Sequence, residues 1–370
     1  MKTYRIGILG ATGMVGQRLI TLLDNHPWFN VTVLAAGASS AGLTYQEAVK
    51  RRWKMTAPIP AGIAAQTVLD AHKDSATIAK AVDFVFCAVD LPANEIKALE
   101  EHYAKLECPV VSNNSAHRMT ADVPMIIPEV NADHCAVIPY QRKRLGTNRG
   151  FIAAKPNCSL QSFIPALHPL KEFGIKNILA CTYQAISGAG KNFESWPEMH
   201  DNIIPLIGGE EEKSQTEPLK IWGTLNTNLY STSSSPDFFG VISHAVTPSI
   251  TTQCIRVPVL DGHMAAVFAS FDKKPQLDRI ANLWNSYEGK AQQLKLPSAP
   301  KKFLHYFEEP DYPQTKLHRD LENGMGISIG RLRADTQYDI KFVSLSHNTV
   351  RGAAGGALLL AELLCAEGWI

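Results

Sequence analysis

The sequence has little that would build a disulfide or metal scaffold. Its seven cysteines, at 87, 108, 135, 158, 181, 254 and 365, are odd in number and show no CxxC spacing. That argues against a zinc site or a disulfide framework, and it points to a reducing cytoplasm. No apolar run approaches the roughly 18 residues that a membrane-spanning helix needs. Net charge is only +1, so bulk electrostatics give no attraction to nucleic acid or to an anionic membrane. The basic clusters Arg51-Arg52-Trp53-Lys54 and Arg142-Lys143-Arg144 read as solvated faces. The start, Met1-Lys2-Thr3-Tyr4-Arg5, runs into a strand pattern and not into a signal peptide. No internal repeat is visible. What is present is a soluble globular composition, 45% hydrophobic and 19% charged over 370 residues. That length suggests two domains, each able to bury its own core.

The chain opens with a strand pattern over 4–9, then Gly10-Ala11-Thr12-Gly13-Met14-Val15-Gly16, then helical periodicity over 17–23. Strand, glycine turn and helix begin a dinucleotide-binding unit, in which backbone amides approach a pyrophosphate at a helix N-terminus. Gly10, Thr12, Gly13, Met14, Val15 and Gly16 are therefore candidate cofactor contacts. The spacing is GxxGxxG and not GxGxxG, so the flanking βαβ pattern carries the reading. A second strand over 31–36 ends in Gly37-Ala38-Ser39-Ser40, with no carboxylate to hold a ribose hydroxyl. Ser39, Ser40 and free amides could accept a 2′-phosphate, which favours NADP; plain turn chemistry is the ordinary alternative. Further strands are expected over 81–88 and 109–112, with a helix over 93–106. Arg118 follows the last of these strands, where an anion could be held. Residues 123–131 read as an extended segment leaving the first domain.

The stretch Lys155-Pro156-Asn157-Cys158-Ser159-Leu160 organises the rest. Pro156 and Asn157 interrupt what precedes them. Apolar residues at 160, 163, 164 and 167 have helical spacing, and Pro165 predicts a kink or a late start. Cys158 thus falls at a helix N-terminus, where free amides and the dipole favour a nucleophilic thiolate. An inert buried cysteine is the alternative. Strands over 176–186, 250–258, 263–271 and 337–345 have few helices between them, so the second domain is expected to be α+β with a mixed or antiparallel sheet. Residues 191–249 read as an irregular arm or lid, and 353–367 as an apolar closing helix. Four polar clusters stand out: Thr182-Tyr183-Gln184-Ala185 with Ser187-Gly188, Gly208-Gly209-Glu210-Glu211-Glu212-Lys213, Arg256 in an apolar strand, and Asp261-Gly262-His263. A guanidinium in a strand needs an anion partner. His263 is a candidate acid/base because an unperturbed imidazole titrates near about 6.5. Taken singly, a paired sheet arginine, a turn histidine and a solvated acidic run are the ordinary readings.

Together, GATGMVG at 10–16, PNCS at 156–159, YQAISGAG at 183–190, GGEEEK at 208–213 and RVPVLDGH at 256–263 resemble the aspartate-β-semialdehyde dehydrogenase family over essentially the whole chain. The short PNCS form and GGEEEK look more like its archaeal and fungal branch. The resemblance implies an α/β fold, with a Rossmann-type dinucleotide-binding domain over 1–155 plus 349–370. A catalytic and dimerisation domain of α+β type would span 156–348. It implies NADP-dependent reductive dephosphorylation of L-4-aspartyl phosphate to L-aspartate 4-semialdehyde through a Cys158 thioester. That step serves the biosynthesis of lysine, threonine, methionine and isoleucine. By resemblance His263 is the acid/base, and Gln184 orients the substrate or thioester. Arg256 binds the substrate carboxylate and Glu210 its amine, with Glu211 and Glu212 as adjacent alternatives. Arg118 and Lys213 bind phosphate, Asn157 lies beside the substrate, and Ser187, Gly188 and Asn348 lie near the cofactor. No metal site is expected, and a homodimer or homotetramer is. N-acetylglutamyl-phosphate reductase and malonyl-CoA reductase are rivals on the same scaffold. A cysteine hydrolase or a non-catalytic NADP sensor would leave part of the motif set idle.

Overall fold

The strand, glycine turn and helix at the start form as their pattern predicts. In a computed structural model, whose described residues are 3–226 and 241–370, β1 (Tyr4–Leu9) feeds α1 (Met14–Leu23). Gly10 sits at φ +84°, and a Cβ there would lie 2.3 Å from the Ala88 carbonyl oxygen, so the turn needs glycine. Five further strands follow: β2 (Phe29–Ala36), β3 (Val68–Asp70), β4 (Phe84–Cys87), β5 (Val110–Ser112) and β6 (Ile152–Ala154). All six pair in parallel in the order β3-β2-β1-β4-β5-β6. Helices cover both faces, so β4 and β5 are buried along their whole length. The strand order reverses between β1 and β4, where a crevice opens beyond the strand ends.

Two expectations change here. The strand over 81–88 is shorter, because Ala81 ends the helix Ser75–Ala81. Residues 123–131 do not leave the domain. Pro128 and Pro139 occupy first turns of the helices Pro128–Asn131 and Ile138–Leu145, and these return the chain to β6.

The second sheet is built from β7 (Ile175–Gln184), β10 (Ser249–Arg256), β11 (His263–Phe271), β12 (Leu304–Tyr306), β13 (Ile327–Ala334) and β14 (Ile340–Ser346). Its order is β10-β7-β11-β14-β13-β12, mixed as expected: β10 runs parallel to β7 and β12 to β13, and the other pairs are antiparallel. A short antiparallel pair, β8 (Thr224–Asn226) and β9 (Val241–Ser243), stands apart. Strand β11 alternates strictly, and Ala265, Val267, Ala269 and Phe271 face the core with Leu160, Phe163, Ile164 and Trp284. The opposite face leaves Met264, Ala266 and Phe268 half-covered. The helix Leu160–Leu167 starts on time despite Pro165, and is buried throughout. Proline removes one bond to the preceding turn, and the chain tightens into a 3₁₀ turn over His168–Phe173.

Part of the expected arm or lid over 191–249 is a regular helix, Glu210–Ile221, which the sequence reading missed; residues 227–240 of it lie outside the described residues. The closing helix is Gly355–Ala366, entered through a π-turn at Val350–Ala354. Its Leu358, Leu359, Leu360, Leu363 and Leu364 pack into the core of the first sheet, next to Leu19, Ile20 and Phe86. Arg351, at its entrance, forms a buried bidentate pair with Glu129 at 2.8 and 2.5 Å. Among the described residues no helix is long and apolar enough to cross a membrane.

Candidate active site

Cys158 is presented by an Asx turn. Asn157 Oδ1 accepts from Ser159 N and Ser159 Oγ, both at 2.7 Å, and fixes the residue between them just before the helix Leu160–Leu167. The thiol faces a cleft of about 320 Å³ together with Asn113, Arg118, Lys155, Glu210 and Lys213. Its Sγ lies 3.5 Å from Nε2 of His263, the first residue of β11. The Ala185 amide donates to His263 Nδ1 at 3.1 Å, which leaves the ring hydrogen on Nε2, directed at the sulfur.

Electrostatics correct two expectations. Burial and the neighbouring Arg256 guanidinium push the His263 pKa down to about 3, so the ring is neutral and does not titrate near its ordinary value. Burial, reinforced by the Glu210 carboxylate, raises the Cys158 thiol, while Lys155, Arg118 and Arg256 pull it the other way. Burial of Cys158 thus opposes the thiolate that a helix start favours.

The other predicted substrate residues converge. Glu210 Oε1 and Oε2 each accept from Asn157 Nδ2 at 3.0 Å, Oε1 pairs with Lys213 at 3.2 Å, and Oε2 accepts from Gln184 Nε2 at 3.4 Å. Glu211 instead bonds the Cys254 amide and Gln253, so Glu210 is the acid of this run that faces the cleft. Gln184 is fully buried behind Glu210. Arg256, the last residue of β10, donates through Nη1 to the Ala185 carbonyl at 2.6 Å; among the described residues it pairs with no carboxylate. Gly188 lies directly against it, since a Cβ there would sit 2.9 Å from that Nη1 and 3.1 Å from His263 Nε2. Arg118 lines the cleft but is already engaged, by Glu217 at 3.0 Å and by the carbonyls of Lys155 and Asn113.

Met14, Val15, Ser187, Gly188 and Asn348 line this same cleft. Asn348 donates to Ser187 Oγ at 2.8 Å and accepts from the Gly262 amide at 2.7 Å, tying the entrance of β11 to the loop after β7. Gly10, Thr12, Gly13, Ser39 and Ser40 line an adjoining cleft of about 330 Å³. Gly16 lines neither; a Cβ there would meet Gly10 O at 2.4 Å, so its part is to pack α1 against the turn. A tight glycine turn at a helix start, with open clefts on both sides, fits a dinucleotide lying across it.

Two residues in the site were not found in the sequence. Lys155 is buried, its Nζ donates to the Pro156 and Gly352 carbonyls, and burial pushes its pKa down to about 7. It stood in view inside the cysteine motif, but a lysine beside a proline carries no signal of burial. Glu217 accepts from Arg118 and, at 2.7 Å, from the Asn157 amide. It lies in a helix that the sequence reading took for irregular chain.

Comparison with known proteins gives concordant matches. The model of the family described as "Semialdehyde dehydrogenase, NAD binding domain" matches residues 5–138, and that of "Semialdehyde dehydrogenase, dimerisation domain" matches 167–351. The aspartate-semialdehyde dehydrogenase of Archaeoglobus fulgidus is 38% identical over 98% of this chain and 98% of its own. That of Schizosaccharomyces pombe is 39% identical over 100% of this chain and 99% of its own. A crystal structure of the Candida albicans aspartate semialdehyde dehydrogenase with NADP superposes with a TM-score of 0.87 at 35% identity, covering 100% of both chains. With full-length identity of this order to archaeal and fungal members alike, the chain belongs to the aspartate-semialdehyde dehydrogenase family.

Proposed function

We propose that the protein catalyses the reversible, NADP-dependent conversion of L-4-aspartyl phosphate to L-aspartate 4-semialdehyde and phosphate. The observation that carries this reading is the Cys158 Sγ facing His263 Nε2 at 3.5 Å. Around that pair stand an acid, Glu210, and a guanidinium, Arg256, that pairs with no carboxylate among the described residues. A substrate bearing both an ammonium and a carboxylate complements these two charges. Lys213, Asn157 and Arg118 line the cleft on the side that would take the phosphoryl group.

Cys158 is the nucleophile in this proposal. Its sulfur bonds to the acyl carbon, the carbon–oxygen bond to phosphate breaks, and the thiol proton leaves with the phosphate. Glu210 holds the amine end of the thioester, and Gln184, bonded to Glu210 from behind, orients that carboxylate. The glycine turn, Ser39, Ser40, Ser187, Gly188 and Asn348 would hold the cofactor, which when bound supplies the hydride to the thioester carbon. His263 donates its Nε2–H to the oxygen that becomes negative as that carbon turns tetrahedral. Collapse breaks the carbon–sulfur bond, releases the aldehyde and returns the sulfur, which takes a proton from solvent. No step requires His263 to lose its ring hydrogen, which agrees with the bond from Ala185 to Nδ1.

The division into 1–155 plus 349–370 and 156–348 is supported by the closing helix packing into the first core. The half-covered face of the second sheet and the dimerisation-domain match support a homo-oligomer, which we assign as a dimer or a pair of dimers. A cytoplasmic location accords with seven cysteines that are odd in number and show no CxxC spacing. The test is turnover of L-aspartate 4-semialdehyde with phosphate and NADP, against N-acetylglutamyl phosphate and malonyl-CoA in the reductive direction. Activity with the first, lost in Cys158→Ser, is expected; turnover of only one of the other two would replace the reading.

A further inference from the structure

The basic run at 51–54 reads as solvated surface, yet its backbone is built into the cofactor turn. Gln17, 1% exposed on α1, donates through Nε2 to the carbonyls of Thr12 at 2.9 Å and Arg52 at 2.8 Å. Its Oε1 accepts from the Lys54 amide at 2.8 Å. A second tie comes from the helix α2 (Tyr45–Val49), where the Tyr45 hydroxyl donates to the Ala11 carbonyl at 2.9 Å. Residues 45–54 are thus fastened at two places to the glycine turn itself.

The Arg52 side chain extends from this anchored backbone into the cleft that Gly10, Gly13, Ser39 and Ser40 line. Its Nη2 donates to Ser40 Oγ at 3.2 Å and to the Ala48 carbonyl at 2.5 Å. A guanidinium has five N–H donors, so several remain free. Among the described residues no carboxylate pairs with Arg52. His72 and Asp90 also line the cleft, from the ends of β3 and β4. The end of β2 offers no acid to a ribose, only the Ser39 and Ser40 hydroxyls. An anchored cation with unspent donors beside two hydroxyls is a receptor for a phosphate dianion.

We propose that Arg52 is the specificity-determining residue that reads the 2′-phosphate of the cofactor, with Ser40 holding its guanidinium in place. This rests on the NADP reading above. A ribose hydroxyl offers Arg52 no charge, so the contact separates NADP from NAD and does not merely add affinity for both.

The experiment titrates 2′,5′-ADP and 5′-AMP into the unmodified protein and into Arg52→Gln, Arg52→Lys and Arg51→Gln, following heat of binding. In parallel, kcat/KM is measured for NADP and NAD. Losing a charge-assisted pair should weaken 2′,5′-ADP about ten- to hundredfold in Arg52→Gln, with 5′-AMP within about twofold. Salt dependence of 2′,5′-ADP binding should flatten in the same variant, and Arg52→Lys should fall between. Arg51→Gln should behave as unmodified. The NADP:NAD preference should drop by the same factor as 2′,5′-ADP affinity. If the unmodified protein prefers NADP and Arg52→Gln keeps both its 2′,5′-ADP affinity and that preference, the assignment of Arg52 is overturned. If the unmodified protein binds 5′-AMP as tightly as 2′,5′-ADP, the NADP reading itself falls.

Discussion

At the scale of single residues, the charge on one sulfur sets the pace. Burial and the Glu210 carboxylate raise the Cys158 thiol, and Lys155, Arg118 and Arg256 oppose them. A thiol whose pKa is raised reacts faster as pH rises, because the thiolate fraction grows. The kcat/KM profile should therefore climb through the neutral range toward the alkaline side. It should show no limb near the ordinary imidazole value, since His263 stays neutral down to about 3. A clear ionisation near that value, abolished in His263→Asn, would contradict the neutral-donor role. His263→Ala removes the N–H donor and should cut kcat by about 10²–10³, the cost of one lost oxyanion donor. Arg256→Lys keeps the charge but not the fork, so KM for the semialdehyde should rise while Tm stays near that of the unmodified protein. Unchanged kinetics with a lowered Tm would make Arg256 a structural residue.

At the scale of elements, the helix Glu210–Ile221 does most to assemble the site. Glu210, Lys213, Ser214, Glu217 and Lys220 recur at spacings of three and four, so they share one face. Ser214 Oγ meets Ser159 Oγ at 3.0 Å, Glu217 holds the Asn157 amide and Arg118, and Lys220 donates to the carbonyls of Arg118, Thr120 and Val123. One polar stripe therefore fixes both the cysteine turn and the arginine beside it. Glu217→Gln preserves shape but removes the charge that engages Arg118. We expect kcat about tenfold lower and an altered KM for phosphate in the semialdehyde-oxidising direction, because a loosened Cys158 turn misaligns attack. Unaltered phosphate KM and kcat would confine Glu217 to a structural part. This helix was illegible because periodicity searches follow apolar residues, and here the buried stripe is polar and interrupted by Pro218. The glycine turn was legible because its constraint is local: Gly10 must take a positive φ. The alternation of β10 and β11 was legible for the same reason. Strands β6 and β12, three residues each, and β13, broken at Arg331 with φ 59°, carry too little pattern to announce themselves. The pairing of Cys158 with His263 joins residues 105 apart, which no local pattern reports. Family resemblance brought those two together; sequence periodicity did not.

At the scale of the whole molecule, buried titratable groups set how stability responds to pH. His263 and His168 are pushed down to about 3 and about 4 by burial, and His117, His134 and His347 are lowered for the same first cause. Between these depressed values and the ordinary value of 6.5, the unfolded chain binds protons that the folded chain refuses. Stability is then lost as pH falls through that window. Glu100 works the other way: burial raises it to about 7 from 4.5, so the folded state gains relative stability on acidification from pH 7 to 4.5. One carboxyl does not offset several imidazoles, so the net slope favours neutrality. Above neutrality, Lys155 and Lys220, each lowered from 10.5 to about 7, add stability as pH rises through that interval. Cys108, raised from 9.0 to about 12 by burial, begins to subtract it once an unfolded thiol would ionise. These signs place the maximum of Tm between about pH 7 and 9, with a decline as pH falls from 6.5 toward 4. His168 isolates the acid side, because its Nδ1 is buried with no hydrogen-bond partner among the described residues and it stands outside the catalytic cleft. Replacing it, in His168→Phe, should leave Tm at pH 8 nearly unchanged and lessen the drop between pH 6.5 and 4.5. Scanning calorimetry across that range decides the matter: a Tm that peaks near pH 5, or an acid slope untouched by His168→Phe, would show that the buried imidazoles are not what limits the fold in acid.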